Sequence, residues 1–324
     1  MEVTILGGGA YSLALAYQFN KKNNVTIWTK VEKEYLELKN ERTNEKVLPG
    51  FKIDNQIKIT MDLKEAIINS KIIVLALPAQ FVDSISKEMK KYVKKNQYIC
   101  IATKGIEQDT CLFPIDVYKK HNKTTKIALI SGPSFAKDMI TKSPIGLSVA
   151  TKSKKTFNIL KQVLENDSLK LRKSSDIIGV SICAAIKNVI AISAGILNGL
   201  GYPESTEAMF ITESLHDIKN LIKALGGSKK TILSYAGFGD LLLTCTSYKS
   251  RNFTYGNLIG SKVSKEEIKK YEETTTIEGL YTLKSIYKLL KNKNVDMPII
   301  DLIYDIIFSE KDPIELSKFL INKI

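Results

Sequence analysis

The sequence predicts a chain in two parts: an α/β domain on a doubly wound parallel sheet over residues 1–175, then an all-α domain over residues 176–324. Three observations predict it. Short β-rich runs alternate with helical stretches through the first half, which implies parallel strands joined by crossover helices. Those runs are apolar almost without interruption, as strands covered on both faces are. Beyond Asp176 the apolar residues recur at helical spacing instead, punctuated by NGLGYP (198–203), LGG (225–227) and AGFGD (236–240).

Taken in order, EVTILG (2–7) is the first strand, and the helix after it runs to about Lys21. VTIWT (25–29), KIIVLALP (71–78), YICIAT (98–103) and KIALIS (126–131) supply the next strands. IGLSVAT (145–151) and LKLRK (169–173) are weaker, flank a helix, and extend the sheet at its far edge.

Composition narrows the class. With 44% hydrophobic and 25% charged residues among 324, the chain reads as globular rather than disordered. Lys and Arg number 48 against 34 Asp and Glu, a net charge of +14 that favours anionic partners. The lysines are scattered through stretches such as KKYVKK (90–95), with no arginine-rich or aromatic-interleaved stripe, so a solvated surface is expected and a nucleic-acid partner is not. Cys100, Cys111, Cys183 and Cys245 show no CxxC pairing, which fits reduced thiols and a cytoplasmic location. His121 and His216 lie far apart, so no metal site is expected. No uninterrupted apolar run approaches the roughly 20 residues of a bilayer span, and no membrane insertion is expected.

ILGGGAYSLALA (5–16) follows a strand and opens a helix. Gly7 makes the tight turn and Gly9 lets the backbone approach a pyrophosphate, which the N–H groups of the following helix would bind. Ser12 stands where a third glycine would, and Ala10 and Tyr11 complete the turn. Placed at the first βα junction of an alternating chain, this is a dinucleotide site on a Rossmann-type sheet. The second strand ends Trp28-Thr29-Lys30 without a carboxylate. Lys30 suits a 2′-phosphate, so NADP(H) is expected over NAD(H); the alternative is that Glu32 or Glu34 reaches the ribose instead. Ligands of such sheets bind beyond the carboxyl ends of strands, which directs Gln80, Lys104 and the Gly-Pro turn SGPSFA (131–136) at the crevice, although turn-making alone also explains the composition of that last segment.

In the helical half Lys187 interrupts an apolar run, AAIKNVIAI (184–192). A buried, unpaired ammonium is costly, so this lysine reaches the surface, has a partner, or does chemistry. Asp240 ends a glycine-rich turn at the head of an apolar helix, where it is a candidate N-cap. Arg251 and Asn252 offer a planar fork and an amide to a phosphate.

These blocks, GGGAYSLALA, VTIWTK, NEKVLPG, TKGIE, SGPSFA, AAIKNVIAISAGILNGLG, AGFGDLLLTCTSYKSRN and IEGLYT, resemble those of NAD(P)-dependent glycerol-3-phosphate dehydrogenases, in the same order over nearly the whole chain. The resemblance implies reversible hydride transfer between NAD(P)H and dihydroxyacetone phosphate, giving sn-glycerol 3-phosphate for glycerophospholipid synthesis. It makes Lys187 the acid/base for the C2 oxygen, with Asp240 as its charge partner. It places Asn188, Thr244, Ser250, Arg251, Asn252, Lys104, Gly132 and Ser134 at the substrate. Gly7, Gly9, Ala10, Tyr11, Ser12, Lys30, Lys104, Ala136, Arg251 and Glu278 fall at the cofactor, and a homodimer is implied. The chain departs from the family pattern at Ala10, Tyr11 and Ser12, and again at Ser205, Glu213 and Ser214, where an asparagine and an Arg-Gly pair are usual. The runner-up is a β-hydroxyacid dehydrogenase of like architecture with another substrate.

Overall fold

The structure is a computed structural model describing residues 1–322. The chain divides into two compact units. The first comprises Met1–Lys104 and Pro114–Ile177; the second takes Gly105–Phe113 together with the chain from Ile178 onward.

The first unit is built on one eight-stranded sheet: β1 (Glu2–Leu6), β2 (Asn24–Trp28), β3 (Lys58–Thr60), β4 (Ile72–Leu75), β5 (Tyr98–Ile101), β6 (Ile127–Ser131), β7 (Ile145–Ala150) and β8 (Leu169–Ser174). Their order across the sheet is β3-β2-β1-β4-β5-β6-β7-β8. β1 lies between β2 and β4, with Ile5 opposite both Ile27 and Val74. After β3 the chain crosses to the other side of β1, so the carboxyl ends of β1 and β4 flank a topological switch point, where ligands of open α/β sheets bind. β4 and β5 are buried at every residue, matching their continuous apolar sequences. β8 alternates buried and exposed residues and shows Lys170, Arg172 and Lys173 to solvent, charges that blunt a sheet edge.

Two features correct the sequence reading. β7 runs antiparallel to β6, pairing Ile130 with Val149, and parallelism resumes only between β7 and β8. The connection over 132–144 holds a single helix of four residues, Ala136–Met139, too little to carry the chain back along a sheet face to a parallel start. β3 was not anticipated, because three residues with one fully buried carry no period to detect.

The second unit contains no strand among the described residues. Its centre is the helix Ile177–Gly199, buried from Gly179 through Leu197. Around it pack helices Glu204–Ala224, Arg251–Gly260, Glu278–Lys293 and Pro298–Phe308, contributing Phe210, Phe253, Leu283, Ile286, Ile300 and Ile303 to one core. Ile106 and Cys111 join the same core, which is why the short segment 105–113 belongs here rather than with the sheet that precedes it. Helices Ile177–Gly199 and Arg251–Gly260 touch at backbone distance: a Cβ on Gly195 would collide with the Phe253 carbonyl, and one on Gly256 with that of Ile192. The 23-residue central helix, though interrupted by Lys187 and Asn188, reaches the length and mean hydropathy of a bilayer span. In this fold it is a core helix, with 89% of its apolar 18-residue window buried inside the protein.

Candidate active site

In the first unit the glycine turn sits at the carboxyl end of β1. Gly7 has φ +133°, which disfavours any side chain, and a Cβ there would meet the Ala76 carbonyl and the Ser12 hydroxyl. Its N–H donates to Trp28 O at 2.8 Å. Ser12, in place of the third glycine, is fully buried and donates from Oγ to Ala76 O at 2.9 Å, so it ties the helix start to the end of β4 while keeping the two close. Above Gly9 the space is open: a Cβ built there meets nothing within 4 Å. Helix Ala10–Asn20 begins at that point with no acidic residue in its first turn and no side chain capping it. An unobstructed backbone at the positive end of a helix suits a pyrophosphate.

Further along the same sheet edge, Tyr11 and Ser134 come together, with 3.3 Å between their hydroxyl oxygens, and Ser134 Oγ donates to Gly132 O at 2.9 Å. Lys104 Nζ lies 5.1 Å from the centroid of the Tyr11 ring. Gly132 is buried where a Cβ would meet Gly146 O at 2.7 Å. Ala136, half-buried, opens its short helix, while Gln80 and Lys30 are exposed. Asn44 and Thr103, which the motif reading did not single out, and Glu34, which it gave as an alternative, complete this edge. The Asn44 amide donates to Gly8 O at 3.1 Å, holding the turn. Thr103 Oγ1 accepts from the Leu77 N–H at 3.2 Å and so links the ends of β4 and β5. Glu34 accepts from Thr29 Oγ1 at 2.7 Å.

In the second unit the charge in the apolar helix has its partners. Lys187 is 6% exposed and its Nζ donates to Asp240 Oδ1 at 2.5 Å and to Thr244 Oγ1 at 3.1 Å. Asp240 is 1% exposed. Thr244 in turn donates to the Asp240 carbonyl at 2.5 Å, one turn back on helix Asp240–Cys245. The cap of that helix is Gly239, and the Asp240 carboxylate is turned to Lys187 instead of serving as the cap. The glycine-rich segment Tyr235–Gly239 makes this possible, since Gly237 adopts non-helical angles and swings the chain so that Asp240 starts a new helix against the old one. Cys245 is buried beside the pair; burial pushes its thiol well above the usual range, partly offset by the Lys187 charge.

Next to the pair, Asn188 donates from Nδ2 to Glu278 Oε2 at 3.3 Å, and the Gly279 N–H donates to Asn252 Oδ1 at 2.9 Å. Ser250 is buried and caps helix Arg251–Gly260 by accepting from the Phe253 N–H at 3.3 Å. Arg251 is exposed at the first position of that helix. Asn188, Asn252 and Glu278 thus form one polar patch in the same unit as a buried, paired ammonium, a group suited to moving a proton. The family departures of the helical unit lie on helix Glu204–Ala224: Ser205 is exposed, Glu213 half-buried, and Ser214 buried with no hydrogen-bond partner for its hydroxyl.

The model of the N-terminal domain of NAD-dependent glycerol-3-phosphate dehydrogenase matches residues 2–157, and that of the C-terminal domain matches residues 176–318. The chain belongs to the NAD-dependent glycerol-3-phosphate dehydrogenase family. A glycerol-3-phosphate dehydrogenase [NAD(P)+] of Fusobacterium nucleatum is 37% identical over 318 residues, covering 97% of this chain and 95% of the relative. One from a Thermoanaerobacter species is 36% identical over 324 residues, covering 100% and 97%. Among solved structures, glycerol-3-phosphate dehydrogenase from Coxiella burnetii superposes with a TM-score of 0.93 at 28% identity, covering 99% of each chain. For this family the architecture found here, a Rossmann-type sheet followed by helices, is the shared one.

Proposed function

We propose that the protein catalyses the reversible reduction of dihydroxyacetone phosphate to sn-glycerol 3-phosphate with NAD(P)H, and so supplies glycerophospholipid synthesis. The observation that carries the reading is the buried Lys187–Asp240–Thr244 cluster inside a chain of this family. The fit of the first unit to a dinucleotide is supported by the open backbone over Gly9 and the uncapped helix behind it. Gly7, Gly9, Ala10, Tyr11 and Ser12 would hold the cofactor, whose chemistry is to exchange hydride with the substrate carbon C2.

The remaining work falls to this chain. Lys187 Nζ donates a proton to the C2 oxygen as that oxygen gains negative charge, and takes it back in the oxidising direction. Asp240 pairs with the ammonium and aims it, and Thr244 fixes its second hydrogen. Asn188, Ser250, Arg251 and Asn252 are the groups we assign to the substrate in the helical unit; Lys104, Gly132 and Ser134 in the sheet unit, and Ala136 and Glu278 toward the cofactor, rest on the family resemblance. General acid–base help of this kind is worth about 10²–10⁴-fold. Cofactor preference depends on two groups near the end of β2: exposed Lys30, which favours the 2′-phosphate of NADP(H), and Glu34, which favours the free ribose of NAD(H). A cytoplasmic location is supported by four free, buried cysteines. A homodimer is supported by exposed apolar side chains on the helical unit, Met209, Leu233, Phe238 and Leu242.

The test is nicotinamide oxidation by purified protein with dihydroxyacetone phosphate, beside unphosphorylated dihydroxyacetone. Turnover that requires the phosphate, and that Lys187→Ala reduces at least about 100-fold with cofactor binding retained, is expected. A Lys187→Ala variant keeping half of kcat overturns the assignment.

A further inference from the structure

We propose that Glu34 selects the cofactor, turning the site toward the free ribose diol of NAD(H) and against the 2′-phosphate of NADP(H). The proposal rests on the reading of the glycine turn as a dinucleotide site and reverses the preference that Lys30 alone predicts. Sequence places no carboxylate at the end of β2, and that is where a dinucleotide-binding sheet normally holds the acid that accepts the ribose hydroxyls. The structure supplies one from the next element. Glu34 lies in the first turn of helix Glu32–Asn40, and its Oε2 accepts from Thr29 Oγ1 at 2.7 Å. Thr29 is itself fixed: it is 2% exposed, directly follows β2, and its N–H donates to Thr60 O at 3.2 Å.

The carboxylate is seated on the glycine turn. A Cβ at Gly8 would overlap Glu34 Oε2 and approach Thr29 Oγ1 to 3.3 Å, so the absence of a side chain at residue 8 is what admits the carboxylate. The Gly8 carbonyl accepts from the Asn44 amide at 3.1 Å, which leaves little freedom for the backbone under the acid. Only one of the two Glu34 oxygens is engaged by Thr29, and a ribose hydroxyl is a donor for the other. A 2′-phosphate carries about −1.5 to −2 charges and donates nothing at neutral pH, so beside this carboxylate it meets repulsion where a hydroxyl meets an acceptor. Lys30 does not cancel this. It is exposed, and an exposed ammonium acts through solvent and is screened by salt.

The experiment uses the full chain and two fragments without nicotinamide, ADP-ribose and 2′-phospho-ADP-ribose, with Kd measured by calorimetry. Wild type is expected to bind ADP-ribose at least tenfold tighter. Glu34→Gln, which keeps the shape and the Thr29 contact, is expected to shrink that ratio at least tenfold, while Lys30→Met changes it less than threefold. Equal or tighter binding of the 2′-phosphorylated fragment, or a ratio unmoved by Glu34→Gln, overturns the assignment of Glu34 and leaves the dinucleotide site standing. Binding of neither fragment by folded protein overturns both the assignment and the reading beneath it.

Discussion

Replacing the Lys187–Asp240 pair separates what it does for stability from what it does for chemistry. The two charges are 2.5 Å apart and almost wholly buried. At an effective dielectric of about 20, unit charges at that distance attract by about 7 kcal/mol, while removing both ions from water costs several kcal/mol each. The pair therefore nets close to zero, and what is expensive is half of it. Asp240→Asn removes the carboxylate that faces the buried ammonium and is expected to cost about 3–5 kcal/mol. The double variant Lys187→Met with Asp240→Leu fills the same space without charge, and is expected to fall within about 1 kcal/mol of wild type or to exceed it. Both variants are expected to lose at least about 100-fold in turnover. Urea unfolding followed by far-UV circular dichroism, which reports chiefly on the helical unit, gives the stabilities, and nicotinamide absorbance gives the rates. If the double variant is no more stable than Asp240→Asn, the near-zero balance argued for the pair fails; if either variant keeps half of the turnover, the reasoning from proton transfer fails.

Tyr11 is expected to matter through its ring, which lies under Lys104, more than through its hydroxyl. A cation over an aromatic face contributes about 0.5–1 kcal/mol, so Tyr11→Leu should raise KM for dihydroxyacetone phosphate severalfold while Tyr11→Phe restores most of it; equal losses in the two would refute the stacking role. Ser214 is buried with an unpartnered hydroxyl, so Ser214→Ala should gain about 1 kcal/mol in urea unfolding, and a loss would show that the hydroxyl has work the structure does not reveal. Burial pushes the Cys100 thiol up to about 12, and all four thiols are buried. Thiol reagents at about pH 8 should therefore label none of them before unfolding. Because the folded value lies above the unfolded one of about 8.5, Cys100 favours folding fully below that pH and the contribution declines as pH rises above it.

Much of this was legible from residues alone, for identifiable reasons. β1, β4, β5 and β6 are covered on both faces, and burial of that kind leaves a continuous apolar run that needs no context to read. Lys187 stood out because a charge inside such a run has few explanations. Its partner was harder: Asp240 looked like a cap, and only the departure of Gly237 from helical angles turns its carboxylate toward a residue 53 positions earlier. The direction of β7 depends on how little structure the preceding connection holds, and residues 105–113 join the helical core through Ile106 and Cys111 with no periodicity to announce it. Glu34 was visible only as one of two acids beyond β2; choosing it required seeing what rests on Gly8.

The central helix has a consequence for how the chain is made. As it leaves the ribosome, Ile177–Gly199 presents the insertion machinery with a segment as long and as apolar as a membrane anchor. One residue speaks against that outcome, and it sits at the middle, where a lysine adds about 2.5–3.5 kcal/mol to the free energy of insertion against gains of about 0.3–0.6 for each Leu or Ile. Lys187 thereby opposes insertion as well as pairing with Asp240. Replacing it with an apolar residue removes that cost along with the ammonium.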